Sequence, residues 1–248
     1  MKIDAILSPL ELPALARRDL RGTACVVFDI LRATSTIITA LQHGAAAIVA
    51  VSEITEAVAL RQRQPAILLA GERDGLKIRA AQSGGIDFDF GNSPREFLPE
   101  HVRGKTIVST TTNGTRALQS CAPAKIVLAA SFLNLASTAD FLRGQENILL
   151  VCAGTGSSVA LEDVLAAGAL VESLTARCKA IVSDPAEIAR RTFAQSQADL
   201  PATIGSSTNG RRLRAISELA DDVAFCSQRD VFNLVAMMSG DGSLRKVT

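Results

Sequence analysis

The sequence predicts an α/β fold: an α/β/α sandwich around a mostly parallel or mixed sheet, with a C-terminal helical annex. Two observations predict it. Short runs rich in Val, Ile and Leu alternate with helix-like stretches along most of the chain. The bodies of those runs are continuously apolar rather than alternating, which suits strands covered by helices on both faces. A chain of 248 residues can bury a sizeable core, and it reads as one domain over 1–248 with residues 184–230 as the annex.

Taken in order, strands are predicted at Ile3–Leu7, Ala24–Ile30, Ala47–Val51, Ile67–Ala70, Thr106–Ser109, Ile126–Ala129 and Ile148–Val151. Helices are predicted at Ser35–Gln42, Ile54–Gln62, Thr115–Ser120, Asn134–Leu142 and Val159–Arg177, the last apolar nearly all round and therefore buried. Gly168 in its middle suggests close packing. Gly71–Glu100 carries five glycines and two prolines and reads as a long loop, a feature that is usually functional inside a compact domain. Beyond Asp184 the chain turns polar and helical, and a strand returns only at about Val231–Met237.

Composition narrows the function. The net charge is +1, aromatic residues are 4% and there is no Trp or Tyr, so neither a nucleic-acid footprint nor stacking platforms are expected. The opening M-K-I-D-A-I-L-S-P is neither signal peptide nor anchor, and no apolar run is long enough to span a bilayer, so no membrane partner is expected. Five scattered cysteines without a C-x-x-C pair fit a reducing cytoplasm. The partner expected is a small molecule. An apolar sheet edge or the annex could also pair chains into a homo-oligomer.

Four segments carry the chemistry. V-V-F-D-I-L-R-A-T-S-T sets Asp29 at a strand exit, with Arg32, Thr34 and Ser35 entering a helix. G-E-R (Gly71–Arg73), S-T-T-T-N-G-T-R (Ser109–Arg116) and C-A-G-T-G-S-S (Cys152–Ser158) follow other strands. Ligands of open α/β sheets bind at strand carboxyl ends, so four such exits would share one rim if the strands run parallel. Asp29 could hold a metal or stabilise a turn, and Arg32 could fork onto a phosphate. Asn113, Gly114 and Thr115 suit an oxygen cage or a capped turn. Glu162 and Asp163 need metal or hydrogen-bonding partners if their helix is buried. Arg73 and Arg95 could clamp a second anion or lie in solvent. With two histidines in the chain, carboxylate-bound Mg²⁺ is more natural than imidazole-bound zinc. P-loop, Cys-x5-Arg and D-x-D schemes are all absent: Cys152 meets Ser158 at the required offset, and Ile30 and Leu31 follow Asp29.

The run V-V-F-D-I-L-R-A-T-S-T, the G-E-R, the F-G-N-S-P, the T-T-N-G-T and the C-A-G with its following E-D together resemble the 2-phosphosulfolactate phosphatase family. The resemblance spans about Ile3 to Val171. It continues more weakly through S-S-T-N-G-R-R-L (Ser206–Leu213) and D-D-V-A-F-C (Asp221–Cys226), and is least in the tail V-F-N-L-V-A-M-M. It implies an α/β fold and a Mg²⁺-dependent phosphatase of the coenzyme M route that releases phosphate from 2-phosphosulfolactate to leave 3-sulfolactate. On that reading Asp29, Glu162 and Asp163, with Glu72 as a further candidate, surround Mg²⁺. Asp29 and Arg32 act on the phosphoryl group, Asp29 alternatively as a nucleophile. Thr34, Ser35, Asn113, Gly114 and Thr115 surround its oxygens, and Arg73, Arg95 or Arg116 hold sulfonate and carboxylate.

Overall fold

Residues 1–247 are described by a computed structural model. Eleven strands form its sheet: β1 (Lys2–Ile6), β2 (Thr23–Phe28), β3 (Ala47–Ala50), β4 (Leu68–Arg73), β5 (Leu76–Lys77), β6 (Thr106–Thr110), β7 (Ile126–Ala130), β8 (Asn147–Cys152), β9 (Ile181–Val182), β10 (Val235–Met238) and β11 (Ser243–Val247). Their order is β5-β4-β6-β3-β11-β10-β7-β2-β8-β1-β9. The continuously apolar runs are indeed buried on both faces. In β2, Ala24, Val26 and Phe28 enter one core with the helix Leu161–Thr175, while Cys25 and Val27 enter the other with the helix Ala33–Gln42. A third, smaller core around Val51, Leu69, Phe88 and Val108 covers the far half of the sheet.

The tail determines the architecture. β7, β2, β8, β1 and β9 run parallel to one another, as do β3, β6 and β4. Between these halves lies the hairpin β10–β11, antiparallel to β7 on one side and to β3 on the other. Three antiparallel steps reverse the sense, so the halves run oppositely through the sheet order. The expectation of one rim from strands all running the same way is therefore corrected. The exits of β2 and β6 still meet, since a Cβ on Gly114 would lie 2.6 Å from the Asp29 carboxylate, and the helix Ala33–Gln42 packs on β7, β10, β11 and β3 between them.

Other expectations shift as well. Gly71–Glu100 is not a free loop: β4 runs on through Arg73 and turns into β5, Ala80–Ser83 is helical, and Ala70 bridges Phe90. The first helix of the predicted annex, Asp184–Ser196, packs against Leu161–Thr175 within the helical layer. A Cβ on Gly168 would lie 2.0 Å from the Ala189 carbonyl oxygen, so a glycine is what lets those two helices touch. The helices Leu200–Ser206, Thr208–Arg214 and Ala220–Cys226 form the outer cluster. No described helix is long and apolar enough to cross a membrane.

Candidate active site

A pocket of 260 Å³ opens where β2, β4, β6 and β8 end, beneath the helix Thr208–Arg214. Asp29, Arg32, Glu72, Asn92, Thr112, Asn113 and Gly154 line it from the strand side, and Asn209 and Arg212 from the outer cluster. All four strand-exit segments of the sequence thus reach one cavity, together with F-G-N-S-P and S-S-T-N-G-R-R-L.

Asp29 sits just past β2, where the helix Ala33–Gln42 begins. The Ala33 N–H donates to its Oδ1 at 3.1 Å. Its Oδ2 accepts no hydrogen bond among the described residues and lies 2.6 Å from where a Cβ on Gly114 would stand. Burial, with the charges of Glu72 and Glu162 nearby, pushes the Asp29 carboxyl up to about 7, against the Ala33 N–H and Arg32. Gly114 is thus the residue that lets β6's exit approach this carboxylate.

The hydroxyls predicted to cage a phosphate are turned inward. Thr34 Oγ1 accepts from the Asp29 N–H and donates to the Asp29 carbonyl, Ser35 donates to the Ile30 carbonyl, and Thr115 to that of Thr111. Short hydroxyl side chains at a helix start satisfy local backbone groups first. Asn113 lines the pocket, but its amide donates to the Ala153 and Gly156 carbonyls and accepts from the Gly156 N–H, which pins the β8 exit loop.

The carboxylates divide in the same way. Asp163 is buried, and its two oxygens accept from the Ile30 and Gly154 N–H groups at 2.8 and 3.0 Å, joining the exits of β2 and β8. Burial and the charges of Asp29 and Glu162 push it well above the usual carboxylate range. Glu72 accepts from Thr112 and from the Gly75 N–H. Glu162 is 1% exposed; its Oε1 accepts from Asn209 at 2.6 Å, and its Oε2 has no partner among the described residues.

The arginines separate too. Arg32 reaches the pocket, but it is 3% exposed and its terminal nitrogens donate to Asp222 and to the Gly75 carbonyl, each at 2.7 Å. Arg73 points to backbone carbonyls of Ser52, Glu72 and Thr110, Arg95 meets Asp222 and Asp221, and Arg116 lines a neighbouring groove. None of these three lines the pocket. Asn92, Asp74, Asn209 and Arg212, which do, had no role assigned from the sequence. The F-G-N-S-P and S-S-T-N-G-R-R-L motifs were the signal that pointed to three of them.

The motifs have counterparts elsewhere. A family model described as 2-phosphosulpholactate phosphatase matches residues 11–241. A "Probable 2-phosphosulfolactate phosphatase" of Thermotoga petrophila is 39% identical over 94% of this chain and 93% of its own length. Proteins of the same description from Thermotoga maritima and Thermosynechococcus vestitus are 38% and 36% identical, over 96% and 95% of each chain. The chain belongs to the 2-phosphosulfolactate phosphatase family. This is a family of phosphoric monoester hydrolases, and the match includes β10, the tail strand that resembled the family least.

Mg²⁺, which the family resemblance implies, can be tested against the donors present. Among the described residues no three His, Cys, Asp or Glu side chains are grouped to hold a metal, so the predicted set of Asp29, Glu72, Glu162 and Asp163 does not assemble as one cage. Asp163 has both oxygens on backbone N–H groups. A smaller set has the donor chemistry for it: among the described residues Asp29 Oδ2 and Glu162 Oε2 accept no hydrogen bond, and the Glu162 charge acts on the Asp29 carboxyl. Mg²⁺ commonly takes one or two carboxylates and completes its shell with water and substrate phosphate.

Proposed function

We propose that this chain hydrolyses a small, multiply anionic phosphomonoester, 2-phosphosulfolactate, to 3-sulfolactate and phosphate with Mg²⁺. The observation that carries the reading is convergence: every segment of the family resemblance up to Leu213 contributes a residue to the 260 Å³ pocket or braces one that does. A cavity of that volume suits a metabolite rather than a polymer. Its charge also fits. Three carboxylates (Asp29, Glu72, Asp74) and two arginines line it, one of them neutralised by Asp222. An anionic substrate therefore needs a cation beside the carboxylates.

Asp29 and Glu162 would hold that ion, which when bound polarises the phosphoryl group and offsets its charge. The Ala33 N–H fixes Asp29 with Oδ2 toward the pocket, and Gly114 leaves that oxygen open. Asp222 and the Gly75 carbonyl hold Arg32 rigid, so the wall beside Asp29 keeps its shape when substrate arrives. Asn113 and Asp163 brace the loop 153–156 that closes one wall. The five unpaired cysteines, four of them buried, support a reducing cytoplasm as the setting.

The test is phosphate release from racemic 2-phosphosulfolactate with Mg²⁺ and then with EDTA, beside phosphoglycolate and p-nitrophenyl phosphate. Turnover that needs Mg²⁺ and prefers the sulfonate substrate supports the reading. Equal turnover of all three keeps the phosphatase and removes the substrate. No turnover by folded, Mg²⁺-supplied protein points to a protein that binds small anions without hydrolysing them.

A further inference from the structure

Resting on the phosphatase reading, one residue stands apart among the charged groups of the pocket. Arg32 has its fork occupied by Asp222 and the Gly75 carbonyl. Arg212, on the helix Thr208–Arg214, lines the same pocket and makes no side-chain hydrogen bond or ion pair among the described residues, although Asp74 shares the mouth. Its guanidinium is nevertheless placed. The Nη2, Cζ and Nε atoms lie 3.4, 3.6 and 3.7 Å from the position of a Cβ on Gly75, so the group lies against the open face of that glycine.

The platform is fixed on every side. The Gly75 N–H donates to Glu72 at 2.6 Å, and its carbonyl accepts from Arg32 at 2.7 Å. The helix that carries Arg212 is anchored by buried Leu213 and by Asn209, one turn earlier, which donates to both Thr155 and Glu162. An arginine with a fixed base, a supported plane and an unoccupied fork is prepared for two parallel hydrogen bonds to a carboxylate or sulfonate. Arg32 and Asp29 belong to one turn, and Arg32's charge acts on the Asp29 carboxyl. That end of the pocket suits the phosphoryl group and leaves Arg212 for a second anion.

We propose that Arg212 is the specificity-determining residue: it grips the non-phosphoryl anionic group of the substrate, the role that sequence reasoning gave to Arg73, Arg95 or Arg116. The substrate class is thereby an acid-bearing phosphomonoester, and simple phosphomonoesters lack half of the recognition.

The test compares wild type, R212Q and R212K on 2-phosphosulfolactate and p-nitrophenyl phosphate, and measures 3-sulfolactate and inorganic phosphate binding by calorimetry. In R212Q the ratio of kcat/KM for the first substrate over the second falls at least about 10-fold, mostly through KM, as expected for loss of a charged hydrogen-bonded pair. Its 3-sulfolactate affinity falls by a similar factor, with a smaller change for phosphate. R212K keeps the charge but not the fork and lies between. An unchanged ratio, or equal losses for both ligands, overturns the proposal. A wild type that hydrolyses neither ester yet binds 3-sulfolactate through Arg212 overturns the phosphatase reading and leaves this subsite standing.

Discussion

The two flanks of the pocket are built by opposite rules. On the strand flank the polar side chains are already engaged: Thr34, Ser35, Thr115, Asn113 and Asp163 all hydrogen-bond to backbone groups of the exit loops. On the outer flank, Arg212 has no side-chain partner among the described residues, and Asn209 spends its amide on Thr155 and on buried Glu162, one of whose oxygens stays unmatched among those residues. Strand exits contain buried N–H and C=O groups that must be paired, so the nearest hydroxyls and carboxylates become scaffold. On the strand flank Asp29 keeps Oδ2 without a hydrogen bond among the described residues, whereas the guanidinium left free to meet a ligand, that of Arg212, comes from an element anchored elsewhere.

The largest way to break the scaffold is at Asp222, which is fully buried and receives Arg32, Arg95 and the Ser93 hydroxyl at 2.6–2.8 Å. Asp222→Ala leaves the Arg32 charge buried and unpaired, and should lower unfolding free energy by about 3–5 kcal/mol in a denaturant titration. Asp29→Asn leaves the scaffold in place and removes a charge at the reacting end. It should lower kcat/KM by at least about 100-fold, or ~2.7 kcal/mol, with an unchanged circular dichroism spectrum. A smaller loss removes Asp29 from the chemistry.

Between these lies Gly114→Ala. The added methyl would meet Asp29 Oδ2 and the Ala33 Cβ, each at 2.6 Å, so β6's exit must move away from β2's. Overpacking of this kind costs about 1–3 kcal/mol, visible in both Tm and kcat. Thr34→Val sharpens the contrast between flanks. Losing the bonds to the Asp29 backbone should cost about 1 kcal/mol of stability and shift KM less than Arg212→Gln does. A larger KM effect from Thr34→Val would return that hydroxyl to the substrate.

Much of this was legible in the residues. The seven predicted strands occur because a strand buried on both faces has to have an apolar body, as β2 has after Thr23 and β8 after Asn147. Asp29, Asn113 and the β8 exit loop were legible as groups following such strands and Glu72 as one closing β4, although the halves of the sheet run oppositely and the parallel rim expected to gather them does not exist. Three things were not legible. β11, S-L-R-K-V, buries Ser243 and Leu244 but exposes Arg245 and Lys246 in mid-sheet and carries no apolar run, so the hairpin that reverses half the sheet went unseen. Hydroxyl-rich turns read alike whether their side chains face a ligand or their own backbone. Arg212 lies in R-R-L-R, where periodicity does not distinguish the arginine at the pocket mouth from those in solvent.

The smallest predicted effect follows the Asp29 proton itself. Burial and two neighbouring carboxylates raise this group to about 7, so in EDTA-treated protein its ¹³C carboxyl resonance should titrate near neutral pH. Glu162→Gln removes one of the two repelling charges. A like charge disfavours ionisation, so its loss must move the midpoint to lower pH, by less than one pH unit or about 1.4 kcal/mol. Mg²⁺ added to the unaltered protein moves it the same way if Asp29 holds the ion, because a cation favours the ionised form. In Glu162→Gln the added ion should move it less, since one of its two carboxylates has gone. A midpoint that ignores Mg²⁺ in both proteins would detach Asp29 from the metal and leave it to act on the phosphoryl group directly.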